Sequence, residues 1–140
     1  MLDTFSYVGA ITLAAARGGA TAVHAVYQSA LALEVAAECA RENGLQGRIQ
    51  FERADAHDAL ALAGRQGGYD LVVCDPPKLA PSRAAKKRAL GAMRRLAAAG
   101  ARATRPGGLL ILCSCSAAVG VDELTRAAAL GGRDVGVLPI

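Results

Sequence analysis

Tyr69-Asp70-Leu71-Val72-Val73-Cys74-Asp75-Pro76-Pro77-Lys78 is the stretch on which the fold turns. Apart from Asp70 its first six residues form a continuous apolar strand, and the two prolines that follow forbid its continuation, since proline fixes φ and lacks the N–H that a ladder needs. An apolar strand ending abruptly in Asp-Pro-Pro holds a carboxylate and its neighbouring carbonyls rigidly, because each proline also restricts the residue before it. A structural turn rarely needs two prolines behind a buried aspartate. Such rigidity suits a site that must orient a planar substrate.

Outward from this stretch, strand-like and helix-like patterns alternate, as in βαβ units around a parallel sheet. Toward the N-terminus, a strand stub at 1–3 leads into an alanine-rich helix ending near Arg17. A buried strand is expected over 20–26, then a helix capped by Ser29 that ends at Asn43-Gly44, a short strand over 48–51, and a helix over 56–65. Toward the C-terminus the spacing predicts a long basic helix over 82–104, interrupted in pattern by Gly91 and Gly100. A turn at Pro106-Gly107-Gly108, a strand over 109–114, a helix over 122–130 and a last strand over 133–138 complete the series.

The chain has 140 residues, 53% of them hydrophobic and 20% charged. That length suits one compact domain, and the composition favours a globular α-rich or α/β domain over disorder. No apolar run approaches the roughly 18 residues of a membrane span, and no basic region precedes the N-terminal stretch as in a signal peptide. Four cysteines, Cys39, Cys74, Cys113 and Cys115, show no zinc-ligand spacing, and no metal is expected. Cys113 and Cys115 stand too close for an ordinary structural disulfide, which makes a reducing cytoplasm the natural compartment. The net charge of +4 is compatible with an anionic partner. Arg83, Lys86, Lys87, Arg88, Arg94, Arg95, Arg102 and Arg105 carry most of the basic run, and a solvated helix face explains that run equally well.

In open parallel sheets ligands sit in the crevice outside the carboxyl ends of the strands. Four such strand ends carry candidate residues. The first is Asp3-Thr4-Phe5-Ser6-Tyr7-Val8-Gly9, where Gly9 lets backbone approach a ligand and the following helix offers free N–H groups; an ordinary βα turn reads the same way. The second is Tyr27, 18 positions after Gly9, where many nucleoside-binding domains place an acid for the ribose hydroxyls. A phenol cannot make that bidentate contact, so Tyr27 is either a ligand contact or a partly exposed tyrosine at a helix entry. The third is Asp55-Ala56, which either accepts from an adenine amino group or caps the next helix. The fourth is Asp75-Pro76-Pro77-Lys78, joined by Cys113-Ser114-Cys115-Ser116 from the neighbouring strand. Strand alternation puts Cys113 and Cys115 on one side, with Cys115 nearer the crevice. Cys39, Cys74 and Cys113 read as apolar filler.

In order and spacing, Asp3-x-Phe5-Ser6-Tyr7-x-Gly9, Asn43-Gly44-Leu45, Tyr69-Asp70-Leu71-Val72, Asp75-Pro76-Pro77-Lys78, Pro106-Gly107-Gly108 and Ser114-Cys115-Ser116 resemble the bacterial large-subunit ribosomal RNA cytosine-5 methyltransferases, from about Met1 to Asp122. The resemblance implies a Rossmann-like class I methyltransferase fold, a parallel sheet with helices on both faces, incomplete at both ends, and one partial catalytic domain over 1–140. It implies S-adenosylmethionine bound at Asp3, Phe5, Ser6, Tyr7 and Gly9, near Tyr27 and Ser29, with its adenine near Asp55 and Ala56 and Asp75 close by. The implied partner is RNA, ribosomal in the family, with Pro76, Pro77 and Lys78 on the substrate side. Cys115 is the implied nucleophile: cytosine carbon-5 reacts only after a thiolate adds at carbon-6. Asp75 would hold the base at its N3 edge. The family pattern has an acid at the Tyr27 position, a small or hydroxyl residue at Val8, glycine at Ala10 and tyrosine at Ala92. The competing readings are an inactive relative that binds RNA or protein, and a methyltransferase with another target atom.

Overall fold

The computed structural model describes residues 1–79 and 82–137. Five strands, β1 (Leu2–Asp3), β2 (Val23–Tyr27), β3 (Ile49–Arg53), β4 (Tyr69–Cys74) and β5 (Thr104–Leu112), alternate with helices α1 (Ala10–Arg17), α2 (Ala30–Glu42), α3 (Ala56–Arg65), α4 (Lys86–Ala103) and α5 (Val121–Arg133) among the described residues. All strand pairs are parallel and the order is β3-β2-β1-β4-β5. The chain therefore builds outward from β1 on one side and then returns to build outward on the other, which places a topological switch between β1 and β4.

Alternation along the strands divides the core in two. Leu2 stands opposite His24 and Val72, and Asp3 opposite Ala25 and Val73. On the Leu2 face, Leu2, Val26, Val72 and Cys74 pack with Leu60 of α3, Met93 and Leu96 of α4 and Ala127 of α5. On the other face Val23, Ala25 and Ile49 pack with Ala16 of α1 and Ala40 of α2. Each fully buried Leu or Met contributes about 1.5–3 kcal/mol from area alone. Leu110 and Leu112 of β5 turn toward the first cluster, whereas Leu109 and Ile111 remain 54% and 40% exposed on the opposite face.

Four elements differ from the sequence expectation. The second strand starts at Val23 instead of Ala20, whose N–H is used by Ala15 O at the end of α1. The basic segment begins as a short 3-10 turn, Arg83–Ala85, and runs as one helix through both glycines, because Ala89, Met93, Leu96, Ala97 and Gly100 form a continuous buried stripe. The Pro106-Gly107-Gly108 turn lies inside β5: Thr104 pairs with Tyr69 and Leu109 with Leu71, so the intervening residues bulge past Asp70. β5 then ends at Leu112, before Cys113.

The expected last strand is replaced, where described, by the end of α5 at Arg133 and a turn over 134–136; Leu138 lies outside the described residues, as does the Arg83 side chain. Tertiary contacts carry the helix past its expected end at 130. Gly131 sits so close to α4 that an added Cβ would stand 2.4 Å from Arg94 O. Arg94 also makes two 2.6 Å bonds to Asp134, just beyond the helix.

Candidate functional site

The carboxyl ends of all five strands open on one edge, and each candidate segment follows one of them. At the end of β1, Thr4 N donates to Val73 O and Ser6 N to Val26 O, both at 3.1 Å, so the turn is stitched to both neighbouring strands. Gly9 then starts α1 with φ 87°, a left-handed conformation that favours glycine, and a Cβ there would meet Ala36 Cβ of α2 at 3.1 Å. Tyr7 takes φ 49°, rare outside glycine, and meets Tyr27 edge to face with ring centroids 5.7 Å apart.

Between these ends lies a cavity of about 310 Å³, of a size for a small organic ligand. Phe5, Tyr27, Ser29, Asp55, Ala56, Pro76 and Pro77 line it, all named from sequence. Thr4, quoted within the first turn, and Ala92, quoted where the family pattern has tyrosine, line it as well, as do Gln28, Ala54, His57, Leu79 and Leu96, which the sequence reading did not single out. The helical period of α4 was the available signal for Leu96; Gln28 had none beyond its place at a strand end. Asp3, Ser6 and Gly9 are buried in the turn, while Tyr7, Asp75, Lys78 and Cys115 are exposed. Asp75, Lys78 and Cys115 lie outside the cavity lining.

Asp55 is a helix cap. Its Oδ1 accepts from His57 N at 2.8 Å and Asp58 N at 3.3 Å, and its Oδ2 from Gln28 Nε2 at 2.9 Å. Ser29 likewise caps α2 through Ala32 N at 3.3 Å. Gln28 is fixed further by Arg53 Nε, which donates to its carbonyl at 3.0 Å.

Asp3 has the most demanding environment. It is 1% exposed, and the Thr12 hydroxyl donates to its Oδ2 at 2.7 Å. Thr12, a hydroxyl in the alanine face of α1, is a support residue that the sequence reading missed. Asp3 Oδ1 and the Ser6 hydroxyl are buried polar atoms without a hydrogen-bond partner. Burial pushes the Asp3 carboxyl above its ordinary range, the Thr12 bond only partly offsets this, and Asp75 adds to the rise. Two orphaned buried oxygens beside a nucleotide-sized cavity fit a ligand carrying an ammonium group and further donors.

The thiols divide by environment. Cys74 is fully buried, and burial, against a bond from Thr4, raises its pKa to about 11. Burial also raises Cys113, helped by the carboxylates of Asp75 and Asp3. Cys115 is the exposed one. It lies on the loop after β5, so strand alternation does not relate it to Cys113. Among the described residues no group of three or more His, Cys, Asp or Glu could hold a metal ion, and no helix is long and apolar enough to cross a membrane.

A parallel sheet in this order, with a crevice at its switch point, defines a doubly wound, Rossmann-like domain. A family model described as S-adenosylmethionine-dependent methyltransferase matches residues 1–135, and the chain belongs to that family, with S-adenosylmethionine as its cofactor. It is 39% identical over 130 residues to a ribosomal RNA large subunit methyltransferase of Deinococcus radiodurans, covering 91% of this chain and 32% of the relative. It is 33% identical over 141 residues to ribosomal RNA large subunit methyltransferase I of Serratia proteamaculans, covering 96% and 36%. The chain thus spans about a third of the length of these curated relatives. Among solved structures it resembles SMU.776 complexed with SAH, with TM-score 0.80 and 26% identity over 93% of this chain and 34% of that one. The SAM-dependent methyltransferase from Agrobacterium tumefaciens, at TM-score 0.73 and 24% identity over 94% and 43%, shares the fold.

Proposed function

We propose that residues 1–140 are one partial methyltransferase domain that methylates carbon-5 of a cytosine in ribosomal RNA through a Cys115 adduct. The observation that carries this reading is an exposed thiol, Cys115, on the loop after β5 at the same sheet edge as Asp75. The relatives named for large-subunit ribosomal RNA support RNA as the substrate.

In this mechanism Asp3 and Ser6 would hold the amino-acid end of the cofactor with their orphaned oxygens, and Phe5 and Gly9 would bound its path. Tyr27, Gln28 and Ser29 would flank the ribose, and Ala56 with the Asp55 cap would flank the adenine. When bound, S-adenosylmethionine supplies an electrophilic methyl group on a sulfonium. Pro76 and Pro77 present the target ring, and Lys78 meets backbone phosphate. Cys115 adds as thiolate to carbon-6, which makes carbon-5 nucleophilic, while Asp75 holds the N3 edge and stabilises the adduct. After carbon-5 takes up the methyl group, loss of its proton and expulsion of the Cys115 thiolate restore the aromatic ring.

The test is RNA containing 5-fluorocytosine, whose fluorine cannot leave as the proton does. The wild-type protein should form a covalent adduct visible as a mass shift, and Cys115→Ala should form none while binding the cofactor nearly as well. Turnover retained by Cys115→Ala overturns the thiol mechanism and leaves a methyltransferase of other atom specificity.

A further inference from the structure

We infer that Arg88, Arg95 and Arg102, on one face of α4, form a phosphate-binding track for the RNA that feeds the crevice. The inference rests on the RNA reading above and adds where that RNA runs.

Spacing and placement carry it. The three arginines recur every seven residues, a separation that returns a helix to nearly the same face, about 10 Å further along its axis each time. All three are exposed. The same helix presents its crevice lining, Ala92 and Leu96, beside the first two, since Ala92 lies one turn from both Arg88 and Arg95, and Arg102 continues the row near the end of α4. A stacked strand advancing about 3.4 Å per phosphate passes about three nucleotides in each 10 Å step, so the track matches a strand whose target base turns off into the crevice.

Charge bookkeeping within α4 separates these residues from Lys86 and Arg94. Lys86 pairs with Glu123 at 2.7 Å and Arg94 with Asp134 at 2.6 Å, both toward α5. Past the helix, Arg105 pairs with Asp70 at 3.0 Å. Among the described residues Arg88, Arg95 and Arg102 have no carboxylate hydrogen-bond partner; Arg102 exerts only a minor pull on Asp134, which Arg94 dominates. The cations facing α5 are therefore spent on the fold, while Arg88, Arg95 and Arg102, in a row that runs from the crevice edge toward the opposite end of the sheet, are left for an outside anion. A polyanion with regularly spaced charges fits three evenly spaced guanidiniums, each a fork suited to phosphate.

The experiment compares three proteins: wild type, the triple variant Arg88→Gln/Arg95→Gln/Arg102→Gln, and a control of equal charge loss, Arg17→Gln/Arg126→Gln/Arg133→Gln. Each is titrated with a short single-stranded cytosine-containing RNA from about 50 to 200 mM salt. Three lost phosphate contacts on a single strand should lower the slope of log K against log salt by about 2, which is roughly a hundredfold in affinity at 0.1 M salt. SAH binding and the melting temperature of the track variant should match wild type, and the control should keep most of the wild-type slope. Equal slopes in wild type and track variant overturn the track while leaving the substrate reading intact. Equal losses in track variant and control also overturn it, because net charge alone then explains binding. A wild-type chain that ignores RNA but binds phosphatidylserine vesicles overturns both the track and the RNA reading.

Discussion

Asp3 brings a carboxylate into a nearly water-free turn with one side-chain donor, Thr12, to meet it. Its folded pKa is raised, so its favourable contribution to folding is complete below the ordinary carboxylate pKa and is lost as pH rises through the folded value. Ionising Asp3 in the ligand-free protein is therefore destabilising, and a bound ammonium would relieve that cost. Asp3→Asn should melt above wild type at neutral pH without cofactor, and the gap should close as the pH is lowered into the carboxylate range. The same variant should lose about ten- to a hundredfold in affinity for SAH, as expected for a lost hydrogen bond to a charged group. A variant that melts lower at neutral pH, or binds SAH as tightly, refutes the assignment. Tyr27 offers the converse change. Tyr27→Asp should tighten SAH binding by about one to two decades in calorimetric titration, the worth of about 1.5–3 kcal/mol for a charged bond to ribose. It should also lose a little stability with the Tyr7 ring contact, about 0.5–1.5 kcal/mol. Unchanged or weaker binding means that the ribose is held by another residue, with Gln28 and Ser29 the polar side chains that follow Tyr27 on the cavity wall.

At the scale of elements, the parts legible in the sequence were those whose signals are local. Ser29 and Asp55 cap their helices as their residue types predict, and the prolines after Cys74 end β4 where they must. What failed were boundaries set by a neighbour. The helix expected to end near 130 continues through Gly131 and Gly132, because a residue without a side chain is what lets it lie against α4. Gly131→Ala should thus do more harm than its helix propensity gain would offset. With its Cβ 2.4 Å from Arg94 O and 2.8 Å from Ala97 Cβ, α5 must shift, at a cost of about 1–3 kcal/mol. Urea denaturation should show a lower midpoint with an unchanged slope; an unchanged midpoint shows that α5 is loosely held. Likewise, the alternation that grouped Cys113 with Cys115 presumed that β5 continues past Leu112, and where the ladder ends is set by its partner β4, far earlier in the chain.

Over the whole molecule, periodicity and turn residues announced the class of fold, but they carry no information on which strand lies beside which. The order depends on contacts such as Leu2 with Val72, about seventy residues apart along the chain. That pairing has a mechanical consequence. β2 with β3 and β4 with β5 are two slabs, each closed by a single crossover, and the two residues of β1 are the rivet between them. The crevice straddles this seam, taking Tyr27 and Asp55 from one slab and Pro76 and Pro77 from the other. A ligand bound across it works as a clamp, and local opening along the seam should be the motion it suppresses most. Amide exchange at Thr4 and Ser6, whose N–H groups reach Val73 O and Val26 O, reads that motion directly. With SAH at about a hundred times its Kd, exchange at these two amides should slow by roughly a hundredfold, while the outer turns of α2 and α5 change far less. Uniform slowing along the chain would instead mean that the slabs open only together, with no seam for the ligand to hold shut.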